Sequence, residues 1–312
     1  LLTLLVIGIV GFGAYYLKQN FFPAVNQIQE EEIQTNTNQV PDTTTQTSPV
    51  VDVVPVDKTK TVIGTSIEGR PITAYHFGEG ASELLFVGGI HGGYEWNTVL
   101  VADELAAYLK GNPSVVPQNV KVTVIPLLNP DGLSKVVTTS DMFVPGAAPR
   151  FTAKDIPLSQ EQVILGRFNG NNVDLNRNFD CDWQTNATWQ TKPVSGGTEV
   201  FSEPESRAIK QYVETNKPVA VVVWYSAAGG VFSSNCHNGV SAETKKLTKI
   251  FADASRYPGY ASFDFYATTG DMVNWLAKNN IPAISVLLTN HTDTEWSKNL
   301  AGITAVLKNY SK

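Results

Sequence analysis

Beyond residue 60 the chain alternates between two hydrophobic patterns. Short, uniformly apolar runs predict buried strands, and longer stretches with apolar residues three or four positions apart predict helices. The predicted strands are a hairpin at 61–77 and single strands at 84–87, 120–128, 218–224 and 283–288. The predicted helices are at 96–109, 202–215, 242–255, 271–278 and 295–310. Because strands and helices alternate, we predict an α/β domain in which helices flank a central sheet.

The first 60 residues follow a different pattern. An uncharged apolar run ends at Lys18, and no small-x-small cleavage site follows it, so we predict that residues 1–18 form a membrane anchor. Residues 19–60 are rich in Gln, Asn, Thr, Val and Pro and lack a sustained apolar period, which is typical of a flexible stalk. We therefore expect residues 61–312 to form one domain on the extracytoplasmic side of a membrane.

Charge and composition exclude some function classes. The net charge is −6, from 23 Lys and Arg against 29 Asp and Glu, and no basic run occurs, which argues against nucleic acid as a partner. Neither Cys181 nor Cys236 belongs to a Cys-x-x-Cys pair, so a metal would have to be bound mainly by His, Asp and Glu. Outside the cytoplasm these two cysteines either pair or remain buried thiols.

Two polar segments are candidates for chemistry, because ligands in α/β proteins bind beyond the carboxyl ends of strands. His91 and Glu95 follow the strand at 84–87, and an imidazole nitrogen and a carboxylate oxygen four residues apart can bind one zinc ion. The same pair also suits a turn followed by the first turn of a helix. In the second segment, asparagines flank Arg177, an arrangement that can bind a carboxylate or simply stabilise a loop.

In combination these segments resemble the zinc carboxypeptidases of the carboxypeptidase A type, over about Thr61 to Tyr310. The motifs that carry the resemblance occur in family order, as His91…Glu95, Asn129-Pro130-Asp131-Gly132, Asp174-Leu175-Asn176-Arg177-Asn178, and Tyr266 before Gly270 and Trp275. Several motifs in order make coincidence a poor explanation. The resemblance implies a central mixed β-sheet flanked by helices, a single zinc ion, and removal of C-terminal residues from peptides.

The resemblance also assigns roles to individual residues. It implies that His91 and Glu95 are metal ligands, that Asn176 and Arg177 bind the C-terminal carboxylate of a peptide, and that Tyr266 closes over the bound residue. It further implies an Arg that polarises the scissile carbonyl, which we match to Arg167, with Arg150 as the alternative. In the family the segment 271–274 lines the pocket for the terminal side chain. Met272 and Val273 would favour an apolar side chain there, whereas Asp271 would attract a basic one, so this preference stays open.

Two positions depart from the family pattern. The third metal ligand, a His in the family, is Tyr225, and a phenol with a reference pKa of about 10 must lose its proton before it binds zinc as phenolate. The general-base Glu is replaced by Leu287, whose hydrocarbon side chain cannot accept a proton from water. In addition, three residues rather than two separate His91 from Glu95, and two of the three are glycines.

These departures lead to two hypotheses. In the first, the protein keeps the fold and the carboxylate-binding pair but is catalytically impaired or inactive, binds zinc weakly or not at all, and binds peptide C-termini or peptidoglycan stem peptides. In the second, it is an active zinc carboxypeptidase with a reorganised site. The replacement candidates are Tyr225, His237 and His291 for the metal and Glu295 and Asp293 for the base. Residues 292–295 also read as a capping box that opens the last helix, which would explain Glu295 without catalysis. A purely structural role without a ligand is a third possibility.

Overall fold

The computed structural model describes residues 59–137, 151–156 and 159–311. The predicted anchor at 1–18 and all but the end of the predicted stalk at 19–60 lie outside these residues, so the division into anchor, stalk and domain stays a prediction. Arg150 lies outside the described residues as well. Within the described ranges, none of the helices combines the length and the apolar character needed to cross a bilayer.

A mixed eight-stranded sheet is the centre of the described part of the chain. Its strands are β1 (Lys60–Thr65), β2 (Pro71–Phe77), β3 (Ser82–Val87), β4 (Val120–Ile125), β7 (Ala220–Ser226), β8 (Gly230–Ser233), β9 (Gly259–Tyr260) and β10 (Ala283–Leu288), and a separate hairpin is formed by β5 (Asn186–Trp189) and β6 (Lys192–Ser195). The spatial order is β1-β2-β4-β3-β7-β10-β8-β9. The four strands β4, β3, β7 and β10 are parallel, and antiparallel pairs join them to β2 and β8.

Helices cover both faces of this sheet. They are α1 (Trp96–Gly111), α2 (Pro130–Ser134), α3 (Gln160–Val163), α4 (Pro204–Asn216), α5 (Ala242–Ser255), α6 (Met272–Lys278) and α7 (Trp296–Asn309), with short 3-10 turns at Pro113–Val115, Ala153–Asp155, Ile164–Arg167 and Leu175–Arg177. Apolar side chains of α1, α5 and α7 form one hydrophobic core with the sheet, and those of α4 and α6 form a second core on the other face. The α/β fold with a mixed sheet flanked by helices is therefore confirmed.

The alternation of side chains along the central strands decides which residues reach each core. In β7, Val222 and Trp224 point into the core beneath α1, α5 and α7, whereas Val223 and Tyr225 point towards α4 and α6. Leu287 of β10 lies on the same face as Tyr225. Both positions that the sequence analysis identifies as departures from the expected pattern thus face the α4 and α6 side at the carboxyl end of the sheet.

Two details of the sequence-based expectations are resolved by the structure. Cys181 and Cys236 form a disulfide, which ties the segment after the Leu175–Arg177 turn to the segment after β8. The capping box predicted at 292–295 is wrong, because Glu295 has a φ of 46° and its side chain does not cap α7. The Asn290 side chain instead accepts hydrogen bonds from the backbone N–H groups of the turn at 292–293. This local bond fixes the turn before the helix begins.

Candidate functional site

The carboxyl ends of the parallel strands meet at one edge of the sheet, and two neighbouring cavities open there. The first cavity contains Arg177 and Asp271, and the second contains Trp189 and His291. The residues that line both cavities are Glu95, Ser226, Phe263, Tyr266 and Leu287. Because the cavities share this wall, they lie side by side at the edge of the sheet.

The sequence-predicted site residues converge on the first cavity. Its lining includes His91, Glu95, Asn176, Arg177, Tyr225, Tyr266 and Leu287. Arg167 is the exception among the predicted site residues, since it lines neither cavity. The fold therefore brings together residues that are up to 196 positions apart along the chain.

His91 lies between two buried carboxylates. Its Nδ1 is 3.0 Å from Oε1 of Glu95, and its Nε2 is 3.3 Å from Oδ1 of Asp174. Among the described residues, both ring nitrogens and Oε2 of Glu95 lack a partner in hydrogen-bond geometry although they are buried. Buried polar atoms without partners are rare in folded proteins, so these atoms mark a place for a ligand, a water or an ion.

Glycines allow the backbone between His91 and Glu95 to pass close to α2. Gly92 has a φ of +43°, and a side chain there would approach the carbonyl oxygen of Asn129 to 2.7 Å. A side chain at Gly93 would come within 2.3 Å of Val136. These two glycines therefore accommodate the spacing that differs from the family pattern.

Asp174 is held as an anion by its neighbours. Nε and Nη2 of Arg167 each lie 2.8 Å from Oδ2 of Asp174. Burial alone would raise the pKa of Asp174, but Arg167 and His91, with Arg177 farther away, lower it well below its usual range. Arg167 is only 1% exposed, and its guanidinium also stacks over the Trp189 ring at 4.4 Å from the centroid. In this arrangement Arg167 orients Asp174, and its assigned role at a scissile carbonyl stays a prediction.

Arg177 and Asn176 present unused hydrogen-bond donors to the first cavity. Nε of Arg177 donates to the Thr188 carbonyl at 2.9 Å and Nη1 donates to the Asn176 carbonyl at 2.7 Å, whereas the buried Nη2 lacks a partner among the described residues. Oδ1 of Asn176 accepts bonds from the Tyr225 hydroxyl at 3.2 Å and from the Met272 N–H at 3.1 Å. Since Oδ1 is occupied by these donors, Nδ2 of Asn176 is the amide atom left to donate to a ligand.

Tyr225 is a protonated phenol in this site. Burial, followed by the nearby carboxylates of Asp271 and Glu95, raises the pKa of Tyr225 well above its usual value. Its hydroxyl therefore donates to Asn176. Leu287, at the position that the sequence resemblance assigns to the base, is 8% exposed, and its side chain lines both cavities.

The residues present do not fit a catalytic zinc ion. Such sites take three protein ligands and keep a fourth position for water. His91 and Glu95 would supply two ligands, and the Tyr225 hydroxyl donates a hydrogen bond to Asn176 instead of facing a metal as phenolate. Among the described residues, the one group of three His, Cys, Asp or Glu side chains close enough to share an ion is Cys181, Cys236 and His237, and its two sulfurs are joined to each other.

Three of the replacement candidates lie outside both cavities. His237 is exposed and its Nε2 is 2.8 Å from Asp182. The Glu295 carboxylate accepts bonds from the Tyr257 hydroxyl, the Thr289 N–H and the Lys298 ammonium, and these donors lower its pKa against the effect of burial. Asp293 accepts a bond from the Asn290 side chain. None of these three side chains is placed to act as ligand or base here.

Besides Tyr225, which lines the first cavity, His291 is the replacement candidate that does reach the site. It lines the second cavity, its Nδ1 is 2.9 Å from the Ser226 hydroxyl, and its ring lies 4.8 Å from the Tyr94 ring between centroids. Burial is the largest influence on the pKa of His291 and lowers it, so the ring is neutral near pH 7. Its position gives the second cavity a hydrogen-bonding group beside its aromatic lining.

The first cavity has a polar end, lined by Asp271, Ser233, Asn235, Asn274 and Ser285. Met272 is fully buried in the core and does not line the cavity, so the expectation that it helps to select an apolar side chain is wrong. Val273, the other residue expected to favour an apolar side chain, does line the cavity. Oδ1 of Asn235 is buried without a hydrogen-bond partner among the described residues. Burial raises the pKa of Asp271 to about 6, although the Asn274 N–H and Arg177 oppose the shift.

Sequence reasoning missed the two serines of this polar end and the contact between Asp174 and His91. Ser285 is the one polar residue in the otherwise apolar β10, on the face shared with Leu287, so the period of two along the strand could have revealed it. Ser233 ends β8 and pairs with Ile284 across the sheet. The contact of Asp174 with His91 joins residues 83 positions apart and has no local signal.

Comparison with known proteins yields one family and several relatives. The model of the family described as zinc carboxypeptidase, Peptidase_M14, matches residues 57–294. The catalytic chain of carboxypeptidase N from Homo sapiens is 26% identical over 211 residues, which are 61% of this chain and 39% of that protein. Metallocarboxypeptidase A of Arthroderma otae is 26% identical over 243 residues, which are 68% of this chain and 53% of that protein. This chain thus matches about half or less of the length of these relatives.

Solved structures share the fold at low sequence identity. Bovine thrombin-activatable fibrinolysis inhibitor superposes with a TM-score of 0.60 at 16% identity, covering 80% of this chain and 89% of that chain. Murein-tripeptide amidase MpaA from Escherichia coli O157 superposes with a TM-score of 0.55 at 22% identity, covering 80% of this chain and 92% of that chain. At these identities the likeness concerns the fold.

Proposed function

The chain belongs to the zinc carboxypeptidase family, and from this premise we propose that it binds the C-termini of peptides without hydrolysing them efficiently. The observation that carries the proposal is the buried Nη2 of Arg177, a cationic donor without a partner among the described residues. Leaving a buried charged donor unpaired is costly, so the site is suited to an anionic acceptor. A terminal carboxylate supplies such an acceptor, with its second oxygen available to Nδ2 of Asn176.

The polar end of the first cavity supports a terminal residue with a basic side chain. Once the carboxylate is bound at Arg177, the terminal side chain extends towards Asp271 and Asn235. The ionised carboxylate of Asp271 and the unpartnered Oδ1 of Asn235 are both acceptors, which suit the donors of an ammonium group. We therefore propose that lysine and related diamino acids are preferred at the C-terminus of the bound peptide.

The loss of hydrolysis is proposed from two substitutions that affect one reaction. Leu287 offers no group to accept a proton, and general-base catalysis typically contributes about 10²–10⁴-fold to the rate. The Tyr225 hydroxyl keeps its proton and donates a hydrogen bond to Asn176. A metal ion bound by His91 and Glu95 would therefore lack a third protein ligand. The unpartnered nitrogens of His91 and Oε2 of Glu95 favour the alternative function, an active zinc carboxypeptidase with a reorganised site, in which a cation is bound there weakly.

Localisation and a second ligand class complete the proposal. The apolar run at 1–18 supports a membrane anchor, and the disulfide between Cys181 and Cys236 is consistent with an extracytoplasmic, oxidising compartment. Peptidoglycan stem peptides also end in a free carboxylate, so they belong among the ligands to test. We propose that the domain binds such C-termini at the outer side of a membrane.

Titration calorimetry on the full chain tests the proposal. The probes are the tripeptide Ala-Ala-Lys and the same peptide with an amidated C-terminus, and mass spectrometry of the samples after incubation with zinc detects cleavage. We expect the free acid to bind, the amide to bind much more weakly, and both to remain intact. Equal binding of acid and amide would refute the carboxylate site, and efficient release of lysine would establish the alternative function.

A further inference from the structure

A chain of hydrogen bonds fixes which nitrogen of His291 carries the proton. Nδ2 of Asn97 lies 2.8 Å from the Asn290 carbonyl oxygen and 3.0 Å from the Asp293 carbonyl oxygen. Carbonyl oxygens only accept, so the amide nitrogen of Asn97 faces them and its Oδ1 is left as an acceptor. The Ser226 hydroxyl lies 3.1 Å from this Oδ1 and donates its single proton to it.

With its proton directed at Asn97, the Ser226 hydroxyl can only accept a hydrogen bond from His291. Nδ1 of His291 is 2.9 Å from this hydroxyl oxygen, so Nδ1 carries the ring proton. If Nδ1 lacked the proton, the Ser226 hydroxyl would have to donate to it. A lone pair of the Ser226 oxygen would then face a lone pair of Asn97 Oδ1 at 3.1 Å. In the neutral ring, Nε2 therefore holds a lone pair, and none of the described side chains donates a hydrogen bond to it.

We propose that His291 is a positioning residue that accepts, through Nε2, a hydrogen bond from an N–H group of the peptide upstream of its terminal residue. The inference rests on the proposed binding of peptide C-termini. With the terminal residue in the first cavity, the remaining peptide leaves across the shared wall of Ser226, Tyr266 and Leu287 into the second cavity. A peptide N–H is the donor that every such ligand brings into this space.

The shape of the second cavity supports this assignment. The His291 ring is packed against Tyr94, and Trp189 and Phe265 supply further aromatic lining. Aromatic rings hold the peptide by apolar contact without fixing its backbone, whereas a directed acceptor fixes the position of an N–H group. His291 thus selects for an extended peptide over a single amino acid.

Two ligands of different length test the role of His291 independently of the proposed carboxylate site. Nα-acetyl-L-lysine occupies the first cavity alone, and acetyl-Ala-Ala-Lys extends into the second. His291→Phe retains an aromatic ring beside Tyr94 and removes the acceptor, and His237→Ala, a histidine outside both cavities, is the matched control. We expect His291→Phe to weaken acetyl-Ala-Ala-Lys binding by about 3- to 10-fold, the range of one neutral hydrogen bond, and to leave Nα-acetyl-L-lysine binding unchanged.

A spectroscopic measurement tests the proton assignment on the unmodified protein. Long-range ¹H–¹⁵N NMR correlations of the full chain distinguish the two neutral forms of each histidine ring. We expect His291 to be protonated at Nδ1, and Ser226→Ala to reduce the population of this form. Protonation at Nε2 in the native chain, or equal loss of both probes in His291→Phe, would overturn the inference while leaving the carboxylate site intact. If the native chain binds neither probe, the proposed function and this inference both fail.

Discussion

Leu287 and Tyr225 are register partners on the adjacent parallel strands β10 and β7. Their side chains lie on the same face of the sheet, and both line the first cavity. The positions that the sequence resemblance assigns to the general base and to the third metal ligand are therefore direct neighbours across one pair of strands. The proposed loss of hydrolysis thus concerns two adjacent positions, and Asn176 and Arg177 line the same cavity.

We predict that the double variant Tyr225→His/Leu287→Glu hydrolyses C-terminal residues in the presence of zinc, whereas the native full chain is silent or nearly so. The new His would complete the metal ligands and the new Glu would supply the base, a role worth about 10²–10⁴-fold in rate. The measurement is the release of lysine from Ala-Ala-Lys, with and without a chelator.

The two single variants are the controls for this gain. Each restores one part of a coupled pair, so each should recover far less activity than the double variant, and the effects should not be additive. Circular dichroism checks that the Glu introduced beside the core does not unfold the domain. Activity of the native chain equal to that of the double variant would show that another residue serves as base.

Arg177→Gln should weaken binding of free-acid peptides by roughly 10- to 150-fold, because it removes a charge-assisted hydrogen bond worth about 1.5–3 kcal/mol. Arg256→Gln, at an exposed arginine after α5, is the matched control and should bind like the native chain. The measurement is titration calorimetry with Ala-Ala-Lys. Arg177 is buried and donates to two carbonyls, so Arg177→Lys, which keeps the positive charge, is measured in parallel. Retained peptide affinity in a folded Arg177→Gln variant would exclude the proposed carboxylate site.

Zinc affinity should increase when the third ligand is restored. Tyr225→His adds an imidazole beside His91 and Glu95, and we expect tighter zinc binding than in the native chain, which has two ligands in place. Competition with a chromophoric chelator measures the difference, and Glu95→Gln in the Tyr225→His background should reverse it. If the native chain bound zinc as tightly as Tyr225→His, another group would have to supply the third ligand. Structural analysis of the zinc-bound form would identify that group.

The fold was largely predictable because its central strands are mostly apolar. The predicted strand at 283–288 coincides with β10, and the predicted helix at 242–255 coincides with α5, since each has a clear hydrophobic pattern with polar or turn residues at its ends. The strand predicted at 218–224 is shifted by two residues from β7. Pro218 and Val219 precede the sheet ladder, and an apolar pattern alone does not reveal where hydrogen bonding between strands begins.

The candidate site was predictable only where its residues belong to short motifs. His91 with Glu95 and Asn176 with Arg177 are close in sequence, so their proximity follows from local structure. The orientation of Asp271 and Met272 could not be predicted, because it depends on where α6 begins. Asp271 caps this helix by accepting the Asn274 N–H, which directs the next residue, Met272, into the core.

Asp271 should confer selectivity for a basic terminal residue. We expect Asp271→Asn to reduce the preference for Ala-Ala-Lys over Ala-Ala-Leu, because the negative charge that faces the ammonium group is lost. In the native chain the preference should rise with pH as the carboxyl ionises, since its pKa is raised to about 6. Calorimetry with both peptides from pH 5 to pH 8 measures this change, and a preference that does not vary with pH in the native chain would exclude Asp271 as the selecting group.

The same substitution should stabilise the ligand-free protein at neutral and alkaline pH. Burial raises the pKa of Asp271 from 3.8 to about 6, so the folded state favours the protonated form and the native chain loses stability as the pH rises through that range. The loss is complete above pH 6 and amounts to about 3 kcal/mol. Asn cannot ionise and still accepts the hydrogen bond from Asn274 as a helix cap, so Asp271→Asn avoids the loss. Chemical denaturation of the full chain at pH 4 and pH 8 should therefore show similar stabilities at pH 4 and a more stable variant at pH 8. A difference that does not grow with pH would show that burial does not raise the pKa of Asp271 in the folded state.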